Sequence, residues 1–202
     1  MAVTINASTT TGLVQSADTS GEINLQSNGT TKLSVLSTGV SGVITSGTAA
    51  ASTSGTSIDF LTIPSWVKRI AVMFNGVSTS STSILLVQLG DSGGVENTGY
   101  VSQAGTVFNT NNTTRGSSFT TGFGLYGQTS DATYTFTGVL SIFNITGTTF
   151  LASGSSLEST NVSVSTLSGS KTLSGTLDRV RITTVNGTDT FDAGTINILY
   201  EG

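Results

Sequence analysis

The chain reads as all-β: a C-terminal β-sandwich, jelly-roll-like, preceded by an extended N-terminal arm with a small β-hairpin. Three observations predict this. Apolar and polar residues alternate around Asn-Gly pairs, with Ile23 and Leu25 before Asn28-Gly29 and Leu33 and Val35 after it. The same pattern recurs near the end, where Val180 and Ile182 precede Asn186-Gly187, and Ile196, Ile198 and Tyr200 follow. Period-two alternation broken by Asn-Gly is the strongest short-range hairpin signal. The composition agrees: hydrophobic residues make up 36% of the chain and charged ones only 9%, against about 25% charged in ordinary soluble proteins. The abundant Thr, Val, Ile and Phe suit a pleated, half-buried surface. Finally, no stretch sustains a helical period.

Taken in order, the chain divides by composition near residue 57. Residues 1–56 contain no aromatic side chain, and their only charges are Asp18, Glu22 and Lys32. Such a segment cannot bury a core of its own, and an isolated hairpin is marginal in water. The arm is therefore expected to pack on neighbouring chains, with folding back onto its own domain as the alternative. Residues 41–56, rich in Ser, Thr, Gly and Ala, read as a linker.

Residues 57–202 read as many short strands: Ile58–Thr62, Val67–Gly76, Ser83–Leu89, Tyr100–Gln103, Gly122–Tyr126, Thr133–Thr146, Thr149–Ala152, Ser163–Leu167, Leu177–Val185 and Thr195–Tyr200. Ile70, Val72 and Phe74 share one face of their strand while Ala71 and Met73 share the other, which predicts a central position. Tyr134, Phe136, Leu140 and Ile142 fall on one side of the longest run, and Val139, Phe143 and Ile145 on the other. The last two strands are expected to close the domain as a hairpin about Asn186-Gly187. Short strands punctuated by Ser and Gly clusters point to a sandwich.

Several function classes drop out. The net charge is −4 with 7 basic residues, so the basic face that nucleic-acid binding needs is absent. The longest apolar run, Ile84 to Val87, is too short for a membrane helix. Met1 to Thr11 has neither a basic nor an apolar region of secretory type, so no signal peptide is expected there. The chain has no Cys and no His, which removes thiolate chemistry, Ser-His-Asp triads and the common zinc sites.

The remaining candidates are sparse. A Ser-Lys pair would require Lys32, Lys68 or Lys171 to be buried beside a serine, and all three read as solvated. Asp91 with Glu96, or Asp189 with Asp192, would be carboxylate pairs for glycoside hydrolysis, but both lie in Gly-rich turns where Asp serves the backbone. Asp189 and Asp192 are also weak candidates for Ca²⁺, in a loop without the ordered acidic spacing of a calcium site. Gly122, Gly124 and Gly127 match G-x-G-x-x-G without the following helix or acidic residue, and read instead as tight packing. The polar stretch Asn109, Asn111, Asn112 to Arg115 is the candidate ligand-contact loop, suited to a glycan. No cofactor is expected.

Several stretches carry a family resemblance. Ile58-Asp59-Phe60 with Ile63-Pro64, Trp66 and Lys68-Arg69, and then Leu86 through Gly90-Asp91 to Tyr100, resemble a module of bacteriophage tail-fibre and other virion structural proteins. Leu177 to Gly187 and Phe191 to Glu201 are similar to its close, and Gly21 to Gly29 with Thr31 to Val35 resembles the repeated hairpin pieces of such proteins. The resemblance implies a non-enzymatic virion component at the particle surface, a short tail fibre or a capsid decoration. It further implies a homotrimer, made in the host bacterial cytoplasm, whose residues 1–56 dock on capsid or tail proteins while the sandwich projects outward. A host receptor- or glycan-binding protein serving viral attachment is the alternative, with a polysaccharide depolymerase behind it.

Overall fold

A computed structural model describes residues 23–27, 29–36, 39–41, 44–109, 112–160 and 162–202. It divides into two compact units, Met1–Val43 and Ile44–Gly202. In the first, β1 (Ile23–Ser27) and β2 (Thr30–Leu36) form the antiparallel hairpin that the alternation predicts, turning at Gly29, whose φ is 72°. A further strand, β3 (Gly39–Ser41), pairs with β2.

The second unit holds the other described strands. They are β4 (Ile44–Ser46), β5 (Ala50–Ala51), β6 (Ile58–Phe60), β7 (Arg69–Thr79), β8 (Leu85–Asp91), β9 (Gly94–Val95) and β10 (Tyr100–Phe108). After them come β11 (Thr114–Phe119), β12 (Phe123–Gly124), β13 (Phe136–Thr146), β14 (Thr149–Glu158), β15 (Ser163–Thr172), β16 (Arg179–Thr184) and β17 (Phe191–Glu201). One nine-stranded sheet runs β11-β10-β15-β14-β13-β7-β17-β4, with β5 also on β17; a five-stranded sheet runs β12-β8-β16-β6, with β9 on β8. Every pairing is antiparallel. The chain leaves one sheet for the other repeatedly, and a single apolar cluster fills the space between them. This is the double-sheet sandwich expected from the sequence. No described helix is long and apolar enough to cross a membrane.

Core positions follow the pleat. Ile70, Val72 and Phe74 of β7 are buried, and β7 lies between β13 and β17 in the interior of its sheet. Phe136, Leu140 and Ile142 of β13 are buried, whereas Val139, Phe143 and Ile145 are exposed. Tyr100 links the layers: its ring meets Phe123 edge-on at 5.1 Å, and its hydroxyl accepts a 2.6 Å hydrogen bond from Leu89 N.

Two expectations need correction. Val180 and Ile182 are buried in β16 as expected, but β16 and β17 are not a hairpin. Both edges of β16 are occupied, by β8 and β6, while β17 lies between β7 and β4 in the opposite sheet. The turn at Asn186-Gly187 exists, with Gly187 at φ 69°. The connection nevertheless runs on to Thr190 before β17 begins, longer than a tight two-residue hairpin allows. It therefore arches between sheets.

The expected linker is also part of the fold. The compact unit begins at Ile44 rather than at residue 57, because β4 and β5 extend the nine-stranded sheet along β17. The small residues make this possible: a Cβ on Gly47 would meet Ile198 Cγ1 at 2.9 Å, and Gly47 N donates to Ile198 O at 2.7 Å. Ser52 is fully buried and donates through its hydroxyl to Ala193 O.

Candidate functional site

The proposed ligand-contact loop is the β10–β11 connection. Phe108 N donates to Thr113 O at 3.0 Å and closes it as a hairpin tip. Asn109 and Asn112 are exposed there, Arg115 is exposed just beyond in β11 opposite Thr106, and Asn112 adopts a left-handed φ of 51°, which Asn tolerates better than most residues. Asn111 lies outside the described residues. The tip carries amides and a guanidinium, without an aromatic platform.

Asp189 serves the arch. Its Oδ2 accepts from Ser83 N at 2.9 Å and its Oδ1 from Asn186 Nδ2 at 2.6 Å. Asn186 Oδ1 accepts in turn from the N–H groups of Thr188 and Asp189. Both carboxylate oxygens are thus used in holding the connection, and Asp192 is exposed on β17. Among the described residues, no group of three or more His, Cys, Asp or Glu side chains is placed to hold a metal ion.

The glycine triplet is a packing device. A Cβ on Gly124 would lie 2.3 Å from the Phe119 ring, and one on Gly127 would lie 2.8 Å from Thr106 Oγ1. These close approaches let β12 and its continuation lie against β10 and β11.

Asp91 and Glu96, paired in the sequence reading as candidate carboxylates, are joined by Lys171 and Ser174 in a cluster that the sequence did not reveal. Lys171 is buried in β15 rather than solvated. Its Nζ lies 2.5 Å from Glu96 Oε2, donates to Thr98 O at 3.0 Å, and stands 5.3 Å from the centre of the Tyr100 ring. Ser174 Oγ lies 2.8 Å from both Glu96 Oε1 and Asp91 Oδ2. A hydroxyl has a single proton, so Ser174 donates to one carboxylate at a time. Hydrogen bonds from Ser174 and from Gly93 N hold the Asp91 carboxyl below its ordinary value. Burial pushes Glu96 up, but the ammonium of Lys171 and the N–H and hydroxyl of Ser174 outweigh it, and Glu96 also ends below its ordinary value. Neither carboxyl is therefore a proton reservoir near neutral pH, which the acid of a glycosidase pair must be. Lys171 is tied to a carboxylate and is no free base for a serine. The cluster clips the β8–β9 turn and the β9–β10 connection to the end of β15 and the β15–β16 connection. Only the side chains' charge hinted at it, since pairing between distant turns leaves no local pattern.

A concavity lies elsewhere, on the outward side of the nine-stranded sheet. A shallow groove of about 760 Å³ is bordered by Val101, Gln103, Phe143, Leu151, Ser153 and Ser168. These residues are neighbours by register: Val101 opposes Ser170, Ser170 opposes Leu151, and Leu151 opposes Phe143. The outward positions of β10, β13, β14 and β15 bear no charged side chain. Arg69 borders the patch, its guanidinium 5.9 Å from the centre of the Phe143 ring and 2.8 Å from Glu201. No family model, curated protein or solved structure matches the chain.

Proposed function

We propose that this chain is a non-enzymatic structural protein of a bacteriophage virion, carried on the particle surface as a short tail fibre or capsid decoration. The arm before Ile44 attaches it to capsid or tail proteins, the sandwich is exposed, and the working form is a homotrimer. The observation that carries this reading is the uncharged, partly apolar outer face of a rigid two-sheet body. An exposed contiguous apolar face signals assembly, and the polar clusters of the same body are spent on holding its own turns. The sequence resemblance over residues 57–202 supplies the virion context. Deleting residues 1–40 should abolish incorporation into particles while the unit from Ile44 onward keeps its β circular dichroism. Incorporation of the truncated protein would remove the docking role.

A second reading, host glycan or receptor binding, is favoured by the exposed amides and guanidinium of Asn109, Asn112 and Arg115 at the β10–β11 tip. Adsorption of the purified protein to host cells, lost on Arg115→Ala, would support it.

A further inference from the structure

We infer that the outward face of the nine-stranded sheet is the surface through which copies of this chain pack on one another. The inference rests on the homo-oligomeric reading above and assigns the contact to one face.

The face is patterned in bands. At one end Val101 stands across Ser170 of β15 from the adjacent pair Leu151 and Phe143, and the three are 72%, 43% and 42% exposed. At the other end Val107, Val164 and Leu157 are aligned by register and are 57%, 49% and 42% exposed. Between them runs a row of uncharged polar residues, in which Gln103 opposes Ser168, Ser168 opposes Ser153, and Ser153 opposes Ser141. Single exposed apolar side chains are ordinary, but a contiguous set is not. Short hydroxyl side chains in the middle let a second layer approach to the roughly 10 Å of packed sheets.

Area and charge indicate the occupant. Four strands of about ten residues at about 4.8 Å spacing present about 600 Å² per copy, or about 1,200 Å² between two copies, the lower end of a specific interface. A charged partner would lose hydration here without meeting a counter-charge. Copies of the same chain arranged about a common axis each bring this neutral face to it, with hydroxyls able to pair among themselves and apolar bands to bury. Interface cores between identical chains are depleted of charge in this way.

The chain has no cysteine, so single thiols report burial directly. Ser153→Cys places one at the middle of the face, and Ser54→Cys places one in an exposed turn as reference. Maleimide labelling is followed at high and low protein concentration, alongside the native mass of the wild type by light scattering. The inference predicts an oligomeric wild type, labelling of Ser153→Cys at least about tenfold slower than Ser54→Cys when concentrated, and convergence of the two rates on dilution. A folded Ser153→Cys variant that loses the wild-type mass reports the same contact through its loss. Equal labelling rates in an oligomer of wild-type mass would overturn the assigned face and leave the assembly reading standing. A wild type that stays monomeric would overturn both.

Discussion

The two faces of the nine-stranded sheet are built from the same strands and obey opposite rules. On the inner face of β13, Phe136, Leu140 and Ile142 are each at most 2% exposed, while on the outer face Val139 and Phe143 are 43% and 42% exposed. The inner face is completed by the second sheet. It also admits polar groups: Glu158 and Lys171 are buried there, Lys171 against Glu96. The outer face of β10, β13, β14 and β15 carries no charge, yet nothing within the described unit covers it. Apolar content alone therefore does not distinguish core from surface here. What distinguishes them is whether a second layer of the same chain covers them.

The comparison breaks most visibly by truncation. Phe136→Ala empties a fully enclosed position whose ring meets Tyr126 at 5.2 Å, and should destabilise the dilute protein by about 3–5 kcal/mol. Val139→Ala, on the other side of the same strand, should change it by only about 0.5 kcal/mol. Denaturant unfolding at one low concentration measures both, and equal losses would erase the distinction between the faces.

A smaller effect is expected from the ion pair. Glu96→Gln leaves the buried Lys171 ammonium without its counter-charge, and should lower stability by about 2 kcal/mol, less than a fully buried pair because Glu96 retains some water contact. The pH dependence has a fixed sign. The folded-state pKa values of Asp91 and Glu96 lie below their ordinary ones. Their contribution is thus present above the unfolded carboxyl range and is lost as pH falls below about 4 through the folded values. Thermal melts from pH 7 to pH 3 should show this loss in the wild type, and a shallower one in Glu96→Gln. Identical slopes would mean that the cluster does not report on folding.

The smallest effect is a gain. Ser102 Oγ is buried on the inner face and has no hydrogen-bond partner among the described residues. Ser102→Ala should stabilise by about 1 kcal/mol, or about 2–4 °C in Tm. A fall in Tm would show that the hydroxyl is satisfied in solution.

The sequence announced what is local and concealed what is paired at a distance. The alternation in Val180 and Ile182, and in Ile70 to Phe74, placed strands and core faces correctly, because pleat direction follows from spacing alone. It did not reveal that β16 and β17 enter different sheets, since that depends on which edges β8, β6 and β7 already occupy. The segment holding β4 and β5 read as a linker because Ser, Ala and Gly carry weak strand preference, and its strands exist only by pairing with β17. β11 was hidden for the same reason: Thr114 to Ser118 is polar, and its pairing with β10 makes it a strand. Lys171 read as solvated because nothing near it in sequence neutralises it; Glu96 does so only after folding. Asn109 and Asn112 lie in an exposed connection as the polar composition suggested, and Arg115 stands in β11 rather than in a loop, whereas the outer face emerged only when register aligned residues from four strands.

The most direct test of that face is the native mass of Leu151→Lys, compared with wild type by light scattering across the same concentrations. Leu151 is outward, between Phe143 and Ser170, so a lysine there places a charge in the face without entering the core. Wild type should appear as a multiple of the 20.5 kDa chain, and folded Leu151→Lys as a single chain. A folded Leu151→Lys protein with the mass of the wild-type oligomer would contradict the account.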